Sequence, residues 1–219
     1  NQGIDDVERN LALNHEEWQQ GELQLSSFPP YLRIDMETRC NMVPRCAYCS
    51  FDTAKERENR SNYQFTPSVF EHMGRFFSNA QTVLDCTFGE PLMSPQFIPT
   101  AELLHAHGKR FDFTTNGQLM NRSVQDALLG KNAIVHVSLE ACTAGQYAMY
   151  RNGNFDVVIR ILTSLCLRKR AYGNQPHVMV AHLAMRSNVD RFEEFVALMK
   201  QVGVDTIKVR TLGVQEAVE

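Results

Sequence analysis

Cys40-Asn41-Met42-Val43-Pro44-Arg45-Cys46-Ala47-Tyr48-Cys49 brings three cysteines into one short loop, directly after the strand-like run Tyr31-Leu32-Arg33-Ile34-Asp35-Met36. Three thiolates this close can bind a soft metal centre, and they leave one coordination position without a protein ligand. A structural zinc site wants four protein ligands, usually with a second Cys or His pair at close spacing. No such pair stands nearby; the closest histidines in sequence are His15 and His72. The open fourth position is the feature to explain.

Beyond this loop the chain alternates between strand and helix patterns. Thr66-Pro67 predicts an N-cap with proline at the first helical position, and Val69, Phe70, Met73, Phe76 and Phe77 then mark one helical face. Thr82 to Cys86 reads as a second strand, and Ser94-Pro95 opens a helix through Phe97, Ile98, Ala101 and Leu104. A third strand, Arg110 to Thr115, closes in Asn116-Gly117, and a short helix carries Val124, Leu128 and Leu129. Ala133 to Leu139, Val178 to Met185 and Thr206 to Val209 complete six strands. Helices striped by Phe155, Val158, Ile161, Leu162 and Leu165, and by Phe192, Phe195, Val196 and Met199, lie between them. Gly203 suits a helix C-cap. Strands alternating with helices imply parallel pairing with right-handed crossovers. Six βα units fall short of the eight that close a TIM barrel, which predicts an open (βα)6 partial barrel.

The 219 residues, 43% of them hydrophobic, suit one sizeable core. A net charge of -3 gives no reason to expect electrostatic binding to nucleic acid. No apolar run approaches the roughly 20 residues of a membrane span, and no signal-peptide pattern opens the chain. Six cysteines, half of them clustered, do not read as a secreted disulfide framework, so a reducing cytoplasm is expected. Ile4, Val7, Leu11 and Trp18 predict an amphipathic helix over residues 4–20 packing outside the main domain, and Pro29-Pro30 ends the lead-in. The division expected is an N-terminal helical extension, 1–27, and a core domain, 28–219. The mixed-charge run Lys55 to Arg60 reads as a solvated loop. Because the numbering opens on Asn1, the chain is expected to be cropped from something longer, and a further segment or a partner is expected to cover the edge of the sixth strand.

Tyr31 to Cys49, followed after the next strand by Gly89-Glu90-Pro91, resembles the radical SAM superfamily. That family holds a [4Fe-4S] cluster on three cysteines, usually spaced CxxxCxxC, and S-adenosylmethionine chelates the fourth iron. Here five residues separate Cys40 from Cys46, so Val43-Pro44 reads as a two-residue insertion between matching ends, Cys40-Asn41 and Cys46-Ala47-Tyr48-Cys49. The resemblance covers roughly residues 28 to 212, and the family's open six-stranded partial barrel agrees with the strand count. Zinc on the three cysteines in a regulatory, non-catalytic barrel, and a nucleic-acid-modifying member of the family, are the alternative readings.

In βα barrels function collects in the loops after the C-terminal ends of strands. Each residue there has an ordinary explanation as a turn glycine, cap or solvated side chain; together, beside a three-thiolate loop, they point to a site. The resemblance implies that Cys40, Cys46 and Cys49 hold the cluster. It implies that Gly89, Glu90 and Pro91 take the α-amino group of S-adenosylmethionine, for which a carboxylate is the natural partner. Tyr48 then lies where the family contacts adenine, and Asn116, at the end of the third strand, joins the cofactor contacts. Ser138, Glu140 and Asn188 are carried over to ribose and carboxylate, and Arg186 to the methionyl carboxylate, whose geometry a guanidinium matches. The implied activity is reductive cleavage of S-adenosylmethionine to a 5′-deoxyadenosyl radical that takes hydrogen from a peptide, protein or small-molecule substrate. A low-potential flavodoxin- or ferredoxin-like electron donor is the implied partner. Cys86, Cys166 and Cys142 are expected to pack without a role, Arg168-Lys169-Arg170 to complement a helix dipole, and His177 and His182 to pack or cap. Tyr147 and Tyr150 either close over a substrate or pack.

Overall fold

Short β-branched and aromatic runs separated by helical stripes can bury themselves on both faces only as a parallel sheet wrapped by its own crossovers. The computed structural model, which describes residues 2–49, 65–86 and 89–211 (backbone alone for 2–5), has this form. The Lys55 to Arg60 run and Thr87-Phe88 lie outside the described residues. Six strands, β1 (Tyr31–Ile34), β2 (Thr82–Asp85), β3 (Arg110–Thr115), β4 (Ala133–Ser138), β5 (His177–Ala184) and β6 (Thr206–Thr211), lie side by side in chain order. Every neighbouring pair is parallel, with Val83 beside Phe111, Val135 beside Val178 and Val180 beside Ile207. The sheet stays open, with β1 and β6 as its edges. On β6, Lys208 and Arg210 are exposed, the type of charge that discourages edge-to-edge pairing. No helix among the described residues is long and apolar enough to cross a membrane.

The alternation along β4 shows how the layers form. Ala133, Val135 and Val137 are buried against the helices, while Ile134, His136 and Ser138 point to the other face and are half-buried. Outside the sheet pack α4 (Phe97–Ala106), α5 (Arg122–Leu128), α6 (Ala144–Tyr150), α7 (Phe155–Lys169) and α8 (Phe192–Val202). Leu104, Leu162, Leu165, Phe195 and Met199 are almost fully buried there. Gly203 ends α8 in the left-handed conformation at φ 86°, as expected of a C-cap. The cation cluster does more than complement a dipole. Lys169 is buried and pairs with Asp205, whose carboxylate also accepts from Val178 N, so the end of α7 is tied to the start of β5 and β6.

Three local expectations need correction. The stripe from Val69 to Phe77 is two helices, α2 (Val69–Met73) and α3 (Arg75–Asn79), broken at Gly74, whose φ of 48° and ψ of -115° no helix accommodates. Thr66-Pro67 forms a turn before α2, with Val69 N on Thr66 O, rather than its cap; Ser94-Pro95 likewise precedes α4, whose cap position is Gln96. α1 (Gln2–Gln20) docks through polar side chains as well as its apolar stripe, of which Val7 and Leu11 are half-buried. Trp18 is 75% exposed, while Asn10 and Glu17 are buried because they bond the backbone of Ser26, Ser27 and Phe28. Unpaired backbone groups attract polar side chains more strongly than a single stripe attracts a thin shell. α6 carries no strong apolar period and was not read from the sequence; Thr143 caps it by accepting from Gln146 N.

A three-ring aromatic cluster joins α4 to β3. Phe97 lies 4.8 Å from Phe113 and 5.6 Å from Phe111, ring centroid to centroid, and is 2% exposed. Phe97→Ala is therefore expected to destabilise the chain by about 3–5 kcal/mol through the cavity it leaves. The check is urea denaturation: a lower midpoint with an unchanged slope. A loss under about 1 kcal/mol would mean that the aromatic cluster is not the clamp between α4 and β3.

Candidate metal and cofactor centre

The cysteine loop leaves the C-terminal end of β1, and its conformation is set before the first cysteine. Glu37 is buried and folds back on its own loop. Its carboxylate accepts from Thr38 N, Arg39 N and the Arg39 guanidinium, at 2.8 to 3.0 Å. Burial would raise its pKa, but the bonds from Arg39 and the backbone outweigh that and hold it below the usual range. Further on, Cys49 N returns to Cys46 O at 3.0 Å, and Ala47 N donates to Tyr150 O at 2.8 Å, which fastens the loop to the end of α6. Met42 is buried while Val43 is 77% exposed and Pro44 is exposed, so the two extra residues point outward. Gly153 permits this approach. A Cβ there would lie 2.9 Å from Met42 Cε, 2.9 Å from the Tyr147 hydroxyl and 2.8 Å from Gln118 Nε2.

The Gly-Glu-Pro segment closes the second side. A Cβ on Gly89 would stand 2.4 Å from Arg39 O and 2.8 Å from Glu37 O, both backbone atoms, so only glycine lets this segment lie against the cysteine loop. Glu90 N donates to Arg39 O at 2.8 Å. The Glu90 carboxylate, 1% exposed, accepts from Thr115 Oγ1 at 2.6 Å, Asn116 N at 2.8 Å and Leu92 N at 3.3 Å. Pro91 is buried at the start of the single turn Pro91–Met93. The carboxylate expected to await an ammonium thus already ties β2's loop to the end of β3. Burial pushes its pKa up to about 7, against the pull of those three donors.

Asn116 extends the clamp. Its Nδ2 donates to Asn41 Oδ1 at 2.7 Å and reaches Cys40 Sγ at 3.9 Å, while its Oδ1 accepts from Gln118 N. On the far side stands Arg151, which the sequence reading passed over. It is 8% exposed, and its Nε and Nη2 hold both oxygens of Glu140 at 2.6 and 2.8 Å, while Nη1 reaches Cys46 Sγ at 3.6 Å. Glu140, expected at ribose or carboxylate, is 3% exposed and committed to this pair. The guanidinium also lies 5.5 Å from the Tyr48 ring centroid. The Tyr48 hydroxyl is buried in the same neighbourhood; burial pushes its pKa up despite Arg151, and the nearby Glu140 adds to the rise.

The remaining expected residues divide. Ser138 sits half-buried at the end of β4, on the face away from Val135 and Val137. Asn188 is 1% exposed and turned into the chain: Nδ2 donates to Glu140 O and Leu183 O, and Oδ1 accepts from Met185 N. It staples the loop after β4 to the end of β5 and the turn that follows. Arg186 is exposed on the turn after β5. Tyr147 and Tyr150 are buried and pack, with Tyr150 Oη bonded to Ser187 Oγ at 2.8 Å. Cys166 is buried as expected, but half-buried Cys86 accepts from Arg33 Nε at 3.1 Å rather than packing in an apolar strand. His182 packs on Phe195, 4.3 Å between centroids. Arg151 stands between a helix end at Tyr150 and the turn residues Asn152-Gly153, and sequence alone gives no reason for a guanidinium to turn inward there.

The three thiols occupy one neighbourhood, since Cys46 feels the charges of Cys40 and Cys49; burial pushes its pKa up and Arg151 opposes. Yet among the described residues no three His, Cys, Asp or Glu side chains converge on a position for a single metal ion. Side-chain N–H groups are aimed at two of the three sulfurs, Asn116 Nδ2 at Cys40 and Arg151 Nη1 at Cys46.

Comparison with known proteins bears on this geometry. The sequence model of the radical SAM superfamily matches residues 37–168, more than half of the chain. The mycofactocin maturase MftC of Mycobacterium tuberculosis is 24% identical over 189 residues, 84% of this chain and 45% of that protein. The GTP 3',8-cyclase of Haemophilus influenzae is 27% identical over 174 residues, 78% of this chain and 50% of that protein. The chain thus spans about half the length of the curated relatives it matches. Among solved structures, Streptococcus suis SuiB bound to precursor peptide SuiA superposes with a TM-score of 0.69 at 16% identity, over 94% of this chain and 43% of that one. SuiB bound to S-adenosylmethionine gives 0.66 at 15% identity, over 97% and 44%. At such identities the superposition shows the shared open-barrel fold.

The buried Glu90 carboxyl makes a test of the clamp. Its folded pKa of about 7 lies above the usual carboxylate value, so the folded chain holds this proton to higher pH than the unfolded chain does. Stability should therefore fall as pH rises from about 4.5 to about 7, by about 3 kcal/mol at most, and level off above. Glu90→Gln, which cannot ionise, should flatten that slope. Urea midpoints measured from pH 5 to 8 decide it; parallel curves for the two proteins would mean that Glu90 ionises freely in the fold.

Proposed function

The chain belongs to the radical SAM superfamily, and on that premise we propose that it is an enzyme holding a [4Fe-4S] cluster on Cys40, Cys46 and Cys49 with S-adenosylmethionine beside it. The observation that carries this reading is the thiol triad at the C-terminal end of β1 with side-chain N–H groups aimed at two of its sulfurs, from Asn116 to Cys40 and from Arg151 to Cys46. A cluster held by Cys40, Cys46 and Cys49 would supply the electron for reductive cleavage of S-adenosylmethionine to methionine and a 5′-deoxyadenosyl radical, the species that would take hydrogen from substrate.

Every other part falls to the chain. Gly89 and Glu90 bring the β2 loop against the cysteine loop and fix its distance. The Glu90 carboxylate keeps acceptor capacity on Oε2, which takes one bond in the fold, and that capacity suits the α-ammonium of S-adenosylmethionine. An arriving cation would also ease the cost of ionising this buried group. Tyr48 offers a ring and a buried hydroxyl beside Cys49. Ser138 lines the face of the sheet away from the helices, and Arg186 can swing a guanidinium toward a carboxylate from the turn after β5. Asn116 and Asn188 hold strand ends in place. Closing the site against water and oxygen protects the radical.

The substrate in this reading is a peptide, protein or small molecule, and the electron comes from a low-potential flavodoxin- or ferredoxin-like donor. A maturase among the relatives and a precursor-peptide complex among the structural neighbours support the peptide member of that set. Residues 1–27 act as a helical extension to a core domain of 28–219. The setting in this reading is a reducing cytoplasm, which suits six cysteines of which half are clustered in one loop.

Anaerobic reconstitution with iron and sulfide is expected to load about four of each per chain, and incubation with dithionite and S-adenosylmethionine to release 5′-deoxyadenosine. Cys46→Ala should abolish both. Stoichiometric zinc without inorganic sulfide would overturn the reading, because the triad would then be serving a different metal.

A further inference from the structure

Arg151 is the best-defined polar side chain at the centre that has no role so far. Its three guanidinium nitrogens are divided between two partners. Nε and Nη2 grip both oxygens of Glu140 at 2.6 and 2.8 Å, and Nη1 is left aimed at Cys46 Sγ at 3.6 Å. The grip is buried on both sides, with side-chain exposures of 8% and 4%. The backbone holds the same two elements together, since Ala47 N donates to Tyr150 O, one residue away on each side. A lysine could not do this. Only a planar fork can bind a carboxylate with two nitrogens and present a third in a fixed direction.

We infer that Arg151 is a positioning residue that sets the reduction potential of the cluster through Cys46, with Glu140 as the group that aims it and partly offsets its charge. This rests on the cluster reading above. Reduction adds one electron, so the reduced cluster is the more negative state, and hydrogen bonds to cluster sulfurs together with nearby charge are the protein's means of setting potential. An N–H from a buried cation stabilises that state and moves the potential upward; a buried carboxylate nearby moves it down. In a low-dielectric setting each of these effects is larger than it would be in water. A buried pair is a poor source of net stability in any case, since burying two charges costs about as much as their attraction returns. The third nitrogen gives this pair something else to do.

The experiment is an anaerobic reductive titration of the cluster-loaded parent, Arg151→Gln, Arg151→Lys and Glu140→Gln, with the reduced cluster followed by EPR and iron and sulfide counted in each. Arg151→Gln is expected to shift the one-electron equilibrium about tenfold against reduction, a midpoint about 59 mV more negative. Arg151→Lys should recover part of that shift, and Glu140→Gln should move the midpoint in the opposite direction. Opposite signs are what a purely structural pair cannot produce, since losing either partner of such a pair disturbs the same packing in the same way. Midpoints of Arg151→Gln and Glu140→Gln both within about twofold of the parent equilibrium, with cluster content intact, overturn the inference. Should Arg151→Gln fail to fold or to load, the sign of the Glu140→Gln shift decides alone: upward sustains the inference, unchanged or downward overturns it. A parent that takes up no sulfide removes the cluster reading and this inference with it, whereas a loaded parent whose midpoint ignores both residues removes only this inference.

Discussion

A glycine and a carboxylate, adjacent in the chain, hold the functional end of this barrel together. Gly89 lies so close to the carbonyls of Glu37 and Arg39 that no side chain fits between them. Glu90 then uses its amide on Arg39 O and its carboxylate on Thr115, Asn116 and Leu92. Three consecutive strands therefore end in one hydrogen-bonded unit. Without it, the cysteine loop after β1 would be a free surface excursion, and loops of that kind carry little conformational stability of their own. The arrangement joins a fold requirement, satisfying backbone groups where a parallel ladder stops, to a functional one, fixing where three thiols stand.

The opposite wall repeats this logic with different chemistry. After β4 the chain turns through Glu140 into α6, and Arg151 at the end of that helix folds back on Glu140. Asn188 fastens Glu140's carbonyl to the end of β5. The result is a second unit, from β4 and β5, pressed against the cysteine loop through Tyr48, Cys46 and Ala47. The loop is thus held between two preorganised walls, one built on the buried Glu90 carboxyl and the other on the buried Arg151–Glu140 pair. That asymmetry places a guanidinium on the Cys46 side and a carboxyl on the Cys40 side.

Much of the fold was legible in the residues. Six strands appeared within a residue or two of their observed limits, because β-branched runs flanked by turn residues leave few alternatives, and their parallel order followed from the intervening helices. What misled was punctuation. Gly74 sits inside an apolar stripe that continues unbroken on paper from Val69 to Phe77, yet its backbone conformation splits the helix. α1 was read from Ile4, Val7, Leu11 and Trp18, but it docks through Asn10 and Glu17 as well, for unpaired amides at 26–28 that no periodicity records.

The sequence by itself determined which groups gather at this end of the sheet: three thiols in one loop, a Gly-Glu-Pro turn after the next strand, and polar residues at successive strand ends. These follow from local chemistry, spacing and the period of the elements, all of which are written along the chain. Tertiary structure alone decided how those residues are used. Glu90 and Asn188 stand where their positions predicted, but their side chains bond the fold itself. Arg151 was invisible because its partners, Glu140 eleven residues away and Cys46 more than a hundred, meet it only when β4's loop closes over β1's. Position along a strand is a local property; the direction in which a buried charge turns is set by whichever partners the folded chain brings within hydrogen-bond reach.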